Sequence, residues 1–228
     1  MSISLKRAPF VVIEGLDRSG KTTQTTRLYD RLKEAGVAVE LIKFPDRTTA
    51  IGKMIDSYLR STSELDDRAI HLLFSANRWE LASTIEKHLN AGTAVICDRY
   101  AFSGIAFSAS KITPTGEPAL SFEWCLNPEK GLPAPDLVLF LDITPEIARK
   151  RGGYGQERYE KEEMQFRVRK LFQRIGGDVI AEKRDGKVNT TWEIVDAGRE
   201  RDIVGAELWS LVQPLVNGVE SQLARLWI

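Results

Sequence analysis

Residues 11–23 read Val11-Val12-Ile13-Glu14-Gly15-Leu16-Asp17-Arg18-Ser19-Gly20-Lys21-Thr22-Thr23 and fit the pattern G-x-x-x-x-G-K-[ST]. An apolar run precedes the glycines and a helical pattern follows them, which separates a phosphate-binding loop from a chance match. In such a loop, backbone amides and the N-terminus of the following helix face phosphate oxygens. Lys21 would then reach the β- and γ-phosphates of a nucleotide, and Thr22 would bind Mg²⁺. The alternative is a glycine-rich turn that carries a surface lysine.

The composition bounds the class of protein. The 228 residues are 43% hydrophobic and 28% charged, which favours one sizeable α/β domain over residues 1–228. Basic and acidic residues number 32 each, so no bulk charge draws the chain to nucleic acid or to an anionic membrane. Two cysteines suggest a reducing compartment, and neither a membrane-length apolar stretch nor an N-terminal signal region is visible. We expect no nucleic-acid or membrane partner and a cytoplasmic location, with the nucleus as a second candidate.

Alternating strand and helix patterns predict a doubly wound parallel sheet with helices on both faces. Including the strand before the loop, this sheet would have five strands; the other four are expected at 37–44, 93–98, 136–143 and 191–196. Helices are expected at 25–35, 51–60, 68–90, 145–151 and 203–227, the last interrupted near Pro214. Residues 152–162, rich in glycine and charge, are expected to form a short mobile lid before another amphipathic helix.

Two arginines are expected where strands end, at the sheet edge at which open α/β proteins bind ligands. Arg47 closes the run Phe44-Pro45-Asp46-Arg47, and Arg99 follows Asp98. A guanidinium there can hold a second phosphate, although solvated surface arginines are the alternative. Two facing phosphate sites indicate transfer between two nucleotides rather than hydrolysis. Other arginines expected at this edge are Arg18, Arg78, Arg149, Arg151 and Arg158.

Three further side chains suggest specific roles. Phe74 and Arg78 are four residues apart and therefore neighbours on one helix face, offering a ring for stacking and a donor for a base carbonyl. Core packing is the alternative for Phe74, but an arginine on an otherwise apolar face needs a buried partner. Asp98 ends an apolar strand, as does the carboxylate that orients Mg²⁺ in phosphate-loop enzymes. Its alternative role is a structural cap or an ion-pair partner of Arg99.

In their order along the chain, these motifs resemble the thymidylate kinase family, in particular its eukaryotic branch. The resemblance spans residues 10 to about 196, and its motifs include the loop, Phe44–Arg47, the segments 74–80, 98–104 and 135–141, and the glycine-rich segment 151–160. It implies a P-loop kinase fold and ATP-dependent phosphorylation of dTMP to dTDP in dTTP synthesis. It also implies Mg²⁺ as cofactor and a homodimer, which the long amphipathic helices favour as well.

The resemblance further implies roles for individual residues. Asp17 would bind the 3′-hydroxyl of dTMP, and Arg47 with Arg99 would bind its phosphate. Phe74 would stack on thymine, and Arg78 would donate to thymine O4. The rest of the dTMP pocket would be lined by Phe44, Gly104, Phe107, Tyr159 and Gln165. The ATP site would consist of Arg18, Ser19, Gly20, Lys21, Thr22, Thr23, Arg151, Asp196 and Ala197. Catalysis would fall to Arg18, Lys21 and Asp98, and the metal to Thr22 and Asp98.

Two departures and two alternatives accompany this interpretation. The segment 110–121 is longer than is typical of the family, and the chain continues past Asp196 into a long closing segment. Another deoxynucleoside or nucleoside monophosphate kinase would share the fold and the loop, although the Phe-Pro-Asp-Arg run favours a monophosphate acceptor. A guanine-nucleotide switch would need an N-K-x-D motif, which the chain does not contain.

Overall fold

The computed structural model describes residues 6–151, 158–159 and 161–228. Within them lie the strands β1 (Phe10–Gly15), β2 (Val39–Lys43), β3 (Ala94–Asp98), β4 (Leu137–Asp142) and β5 (Thr191–Asp196). They form one parallel sheet in the order β2-β3-β1-β4-β5. Every residue of β1 and β3 is buried, as expected for central strands covered on both faces. The predicted five-stranded parallel sheet with flanking helices is confirmed.

The helices that the structure describes are α1 (Lys21–Glu34), α2 (Ala50–Leu59), α3 (Asp67–Asn90), α4 (Ala101–Ala109), α5 (Phe122–Leu126), α6 (Pro145–Lys150), α7 (Glu162–Arg184) and α8 (Arg201–Val212). The sequence patterns predicted most of them to within a few residues, but they assigned no helix to α4 or α5. No helix in this part of the chain has the length and apolarity needed to cross a bilayer.

The register of the parallel strands collects polar groups at one edge of the sheet. Asp98 at the end of β3 pairs with Ile13 of β1 on one side and with Lys43 of β2 on the other. The phosphate loop therefore begins beside the ends of β2 and β3. This edge is the one at which open α/β sheets bind their ligands.

The predicted closing helix over 203–227 is wrong in its length. Helix α8 ends at Val212, a short 3-10 turn follows over Gln213–Leu215, and the C-terminal tail over 216–228 has turns and two isolated bridges but no helix. Pro214 cannot donate a backbone hydrogen bond, which ends the helix. The C-terminal tail instead bonds to other segments: the Val219 amide donates to the Arg7 carbonyl at 2.8 Å and the Leu226 amide to the Leu132 carbonyl at 2.9 Å.

The predicted lid at 152–162 cannot be compared as a whole. Residues 152–157 and 160 lie outside the described residues, and α7 already begins at Glu162. Within the longer segment 110–121, residues 111–118 form a mostly exposed loop with a single antiparallel bridge between Ile112 and Pro118. The assignment of residues 1–228 to one domain stays a prediction.

A mostly buried ion pair between Arg7 and Asp136 connects the start of the sheet to the C-terminal tail. Arg7 donates two hydrogen bonds to Asp136, one of them at 2.8 Å, and a third to the carbonyl of Ser221 at 2.9 Å. Asp136 also accepts from the Phe10 amide at 2.8 Å. The side chains of Arg7 and Asp136 are only 9% and 10% exposed.

We expect Asp136→Ala to lower the free energy of unfolding by about 3–5 kcal/mol, because it leaves the Arg7 charge buried without its partner. Urea unfolding monitored by circular dichroism measures this loss. The matched control is Asp178→Ala, which removes one of the two acidic partners of the exposed Arg174 and should change stability by less than about 1 kcal/mol. Equal effects of the two substitutions would contradict the structural role of Asp136.

Candidate active site

The phosphate loop connects β1 to α1 with strained backbone at its centre. Arg18 has a φ of 62°, in the left-handed region that non-glycine residues rarely adopt, and Gly20 has a φ of 88° directly before the helix. A side chain at Gly15 would meet the Leu141 carbonyl at 2.6 Å, so β4 packs tightly against the start of the loop. Such over-determined backbone is typical of functional loops.

Lys21 is buried in the loop, and its amine donates to the carbonyl of Leu16. Burial lowers the pKa of Lys21 to about 7, and the positive charge of Arg99 acts in the same direction. The carboxylates of Asp17, Asp98 and Glu14 partly offset this effect. A bound phosphate would add negative charge next to the amine and favour its charged form.

Thr22 and Asp98 form a possible place for a metal ion. The Thr22 hydroxyl donates to Asp98 at 2.8 Å, and the Lys43 amine lies 4.0 Å from the same carboxylate. No group of three or more His, Cys, Asp or Glu side chains suited to a metal occurs in the described residues. A hydroxyl and one carboxylate nevertheless fit Mg²⁺, which usually keeps several waters and binds substrate phosphates.

Two clefts open at this edge of the sheet. The phosphate-loop cleft, of about 1150 Å³ with its mouth, is lined by Lys21, Thr22, Asp98, Arg151 and their neighbours. The aromatic cleft, of about 600 Å³, is lined by Phe74, Arg78, Phe107, Tyr159 and their neighbours. The two share a wall made of Asp17, Phe44, Pro45, Arg47 and Arg99. Ligands in both clefts would therefore meet along this shared wall, which carries two arginines.

Arg78 lies in the aromatic cleft with a fully buried partner. Its Nε donates to Glu129 at 2.8 Å, and its Nη2 donates to the other oxygen of the same carboxylate. Glu129 is 0% exposed and Arg78 3% exposed. Gly104 packs directly against the guanidinium, since a Cβ at this position would lie 2.5 Å from Nη2. The predicted buried partner is present, and the pair leaves Nη1 for a ligand.

Asp17 and Arg99 form an ion pair at the junction of the clefts. Arg99 also donates to the Gly15 carbonyl at 3.1 Å and to the Ser103 hydroxyl at 3.2 Å. Gln165 donates to Asp17 at 2.9 Å and to the Tyr159 carbonyl at 2.9 Å. The structure thus joins these predicted site residues in one network, which links the loop to α7.

Arg47 reaches the shared wall from the end of β2. It pairs with Asp56 of α2 at 2.6 Å. The segment before it is fixed by the buried Asn77, whose side-chain oxygen accepts from the Asp46 amide at 2.7 Å and whose nitrogen donates to the Asp46 carbonyl at 3.3 Å. Gly52 is required here, because a Cβ would overlap the Asp46 carbonyl at 1.8 Å.

Arg151 joins the loop to the end of β5. It donates to the Arg18 carbonyl at 3.2 Å and to the Ala197 carbonyl. Among the described residues, some predicted site residues lie beside the two clefts rather than in their walls: Ser19, Gln165, Asp196 and Ala197. Two other arginines predicted at this edge bind elsewhere, Arg149 with Glu162 and Arg158 with Glu64, because acidic side chains of α7 and the α2–α3 connection lie closer.

Glu14 is a site residue that the sequence reasoning missed. Its carboxylate is fully buried and accepts from the amides of Tyr100 at 2.9 Å and Ser103 at 3.0 Å, and from the Ser103 hydroxyl. It therefore caps the N-terminus of α4, for which the N-cap residue Tyr100 offers no side-chain bond. Burial raises the pKa of Glu14. A charged residue within an apolar strand was the available signal.

Glu129 and Lys43 were missed as well. Glu129 lies in a polar segment after α5, and no local pattern points from it to Arg78, 51 residues earlier. Lys43 ends β2 and lines the phosphate-loop cleft. Its position at a strand end was the same signal that identified Asp98.

The fold and the joined clefts define the class of protein: a phosphotransferase of the nucleoside monophosphate kinase type, in which a phosphate loop faces a second nucleotide pocket. Comparisons with known proteins refine this class. The model of the thymidylate kinase family matches residues 13–203. The chain is 39% identical to human thymidylate kinase, with 99% of this chain and 100% of that one covered. It is 57% identical to the Schizosaccharomyces pombe enzyme over 74% of this chain and 77% of that one.

A solved structure agrees with the sequence comparison. The thymidylate kinase of Candida albicans superposes with a TM-score of 0.82 at 39% identity, and the match covers 97% of this chain and 99% of that one. The chain belongs to the thymidylate kinase family. The resemblance predicted from its motifs is confirmed.

The pKa of Lys21 makes stability depend on pH in a testable way. A folded-state pKa near 7, below the ordinary value of 10.5, means that the unfolded chain binds more protons than the folded one between these values. Burying Lys21 therefore lowers the free energy of unfolding most below pH 7, and this loss shrinks as the pH rises from 7 towards 10.5. We expect Lys21→Met to be more stable than the unliganded wild type at pH 6, with the gap narrowing by about 3 kcal/mol at pH 9.

Chemical denaturation at both pH values measures this gap. Lys53→Met, which alters an exposed lysine of α2, is the control and should show no such trend. A gap for Lys21→Met that is the same at pH 6 and pH 9 would contradict the lowered pKa.

Proposed function

We propose that the protein transfers the γ-phosphate of ATP to dTMP and releases dTDP and ADP. The observation that carries this proposal is the wall of Asp17, Phe44, Pro45, Arg47 and Arg99 shared by the two clefts. ATP phosphates in the phosphate-loop cleft and a monophosphate in the aromatic cleft would meet at this wall without an intervening enzyme group. The family membership supports both substrates.

The aromatic cleft supports a pyrimidine with an acceptor at position 4. Phe74 and Phe107 offer ring faces, and Arg78 can only donate hydrogen bonds. Cytosine presents an amino group at that position, so two donors would face each other in a buried pocket. The alternative from the sequence, a related deoxynucleoside or nucleoside monophosphate kinase, is not favoured, because the family model and the relatives are thymidylate kinases. A panel of monophosphate acceptors tested with ATP separates the two, since dTMP should be used best and dCMP about 10⁴-fold less well.

Positive charge dominates the place where the phosphoryl group would move. Arg47 and Arg99 would hold the acceptor phosphate, Lys21 would contact the γ-phosphate, and Arg18 would stabilise the charge that develops during transfer. Thr22 and Asp98 would hold Mg²⁺, which supplies further positive charge to the phosphate oxygens of ATP. Asp17, held by Gln165, would bind the sugar hydroxyl of dTMP. Arg151, Asp196 and Ala197 would lie near the adenine.

We expect Arg18→Ala and Lys21→Ala each to lower kcat about a thousandfold, because both remove positive charge from the transferring group. Steady-state kinetics with saturating dTMP and ATP measure this loss, and circular dichroism verifies the fold. Arg149→Ala is the matched control, since Arg149 is exposed and pairs with Glu162 outside the clefts. A change confined to the KM for ATP would contradict the assigned role of Arg18.

The chain is also proposed to form a homodimer and to act in the cytoplasm, with the nucleus as a second compartment. Supporting the dimer, Leu72 and Trp79 of α3 are 48% and 42% exposed. They lie seven residues apart and therefore on one face. Met54 of the neighbouring α2 is 50% exposed.

Expression of a fluorescent fusion in a eukaryotic cell tests the proposed compartment, and exclusion of the fusion from both cytoplasm and nucleus would contradict it.

We expect sedimentation velocity at micromolar concentration to show a dimer, because a paired α3 face would bury these apolar side chains. Leu72→Lys should shift the protein to a monomer. Ile180→Lys introduces the same charge at an equally exposed position of α7 and should leave the dimer intact. A wild-type monomer, or dissociation by Ile180→Lys alone, would exclude this interface.

A further inference from the structure

A buried histidine lies behind the aromatic cleft at the meeting point of three helices. His71 of α3 is 0% exposed. Its Nδ1 lies 2.8 Å from the hydroxyl of Ser108 on α4, and its Nε2 lies 2.9 Å from the carbonyl of Cys125 on α5. Ser108 in turn lines the aromatic cleft together with Arg78, and it lies one helical turn after Gly104, which packs against the Arg78 guanidinium. Nothing in the reaction described above uses this chain of groups.

The partners of His71 determine which of its nitrogens carries the proton. Burial lowers the pKa of His71 to about 4, helped by the charge of Arg78, so the ring is neutral at pH 7. Two carbonyls face the ring, and that of Cys125, at 2.9 Å from Nε2, acts on it more strongly than that of Gly104. A carbonyl can only accept, so the proton belongs on Nε2, where it is donated to Cys125. Nδ1 is then an acceptor, and the Ser108 hydroxyl must donate its single hydrogen to it. The Ser108 oxygen therefore presents only lone pairs to the aromatic cleft.

An accepting oxygen and a donating guanidinium that line the same cleft are complementary to one edge of a pyrimidine. Thymine carries the acceptor O4 next to the donor N3–H, whereas cytosine carries a donor next to an acceptor. We propose that Ser108 accepts a hydrogen bond from N3–H of thymine and that His71 is the positioning residue that keeps the Ser108 hydroxyl in its accepting orientation. This inference rests on the proposed use of dTMP and adds a second base-reading group to Arg78.

The contact of Ser108 with N3 is tested with dTMP methylated at N3. The wild type should use dTMP at least about 100-fold better than the methylated analogue, because the methyl removes the donor and meets the Ser108 oxygen. Ser108→Ala should lower kcat/KM for dTMP about tenfold and reduce this preference to about tenfold, since the methyl fits where the oxygen was. The control is Ser110→Ala, which removes a buried hydroxyl whose one hydrogen bond among the described residues goes to the Phe107 carbonyl. An unchanged preference in Ser108→Ala would overturn the proposal.

The positioning role of His71 is tested by the ratio of kcat/KM for dTMP to that for dCMP. His71→Leu frees the Ser108 hydroxyl to donate to N3 of cytosine, so the ratio should fall about tenfold. His71→Gln can still donate to Cys125 and accept from Ser108, so it should retain most of the wild-type ratio. In a Ser108→Ala background, His71→Leu should have no further effect on the ratio. His88→Leu, on the same helix and outside the cleft, is the matched control.

The outcomes separate this inference from the proposed function. A wild type that does not prefer dTMP among monophosphates would contradict the use of dTMP itself. A wild type that prefers dTMP, combined with a ratio that His71→Leu leaves unchanged, would overturn the inference alone. A loss of folding in His71→Leu would appear in its thermal unfolding, and the Ser108→Ala result with the methylated analogue would then decide.

Discussion

The geometry of the whole site depends on one buried carboxylate, that of Glu14. It stands at the end of the central strand, directly before the phosphate loop, and it caps the first turn of α4 by accepting from two backbone amides and a hydroxyl. Arg99, with a φ of 68°, occupies the turn that precedes this helix. Glu14 therefore sets the distance between the loop and α4, which carries Gly104, Phe107 and Ser108 along the aromatic cleft. Glu14 thus connects the strand that leads into the phosphate-loop cleft with the helix that lines the aromatic cleft.

The second organising constraint is electrostatic. Lys21 and Arg99 place two cations near each other at the joined clefts, and each partly destabilises the other. The folded chain tolerates this arrangement because Asp17, Asp98 and Glu14 lie close by. Strained backbone at Arg18 and Arg99 adds to the cost, on the order of 1–3 kcal/mol for each such residue. Anionic ligands would relieve the repulsion, so we expect their binding to raise the stability of the fold.

Much of the fold followed from the sequence because it rests on local patterns. Apolar runs that end at polar residues identified the five strands. The glycine-rich loop identified the connection from β1 to α1. The length of the closing helix was overestimated because apolar residues beyond Pro214, such as Trp227, pack from a tail that is not helical: the ring centroids of Trp227 and Phe102 lie 5.6 Å apart. Helix periodicity cannot distinguish such a tail from a helix when its partner is a distant segment.

The residues of the site likewise fall into those that the sequence could predict and those that it could not. Groups at strand ends, such as Arg47 and Asp98, were predictable because parallel strands deliver them to one edge. The groups that orient other side chains were not, because Glu129 and His71 meet Arg78 and Ser108 only through tertiary packing. Polar residues buried in this way carry no local signature, and their roles follow from hydrogen-bond partners that only the structure supplies.

The central claim is direct transfer between two ligands that meet at the shared wall. The most direct measurement uses ATP made chiral at the γ-phosphorus with oxygen isotopes and determines the configuration of the phosphoryl group in dTDP. A single in-line displacement between two ligands that meet at the wall predicts inversion of this configuration. Retention would show that the group first passes to a residue of the protein, and it would contradict the account.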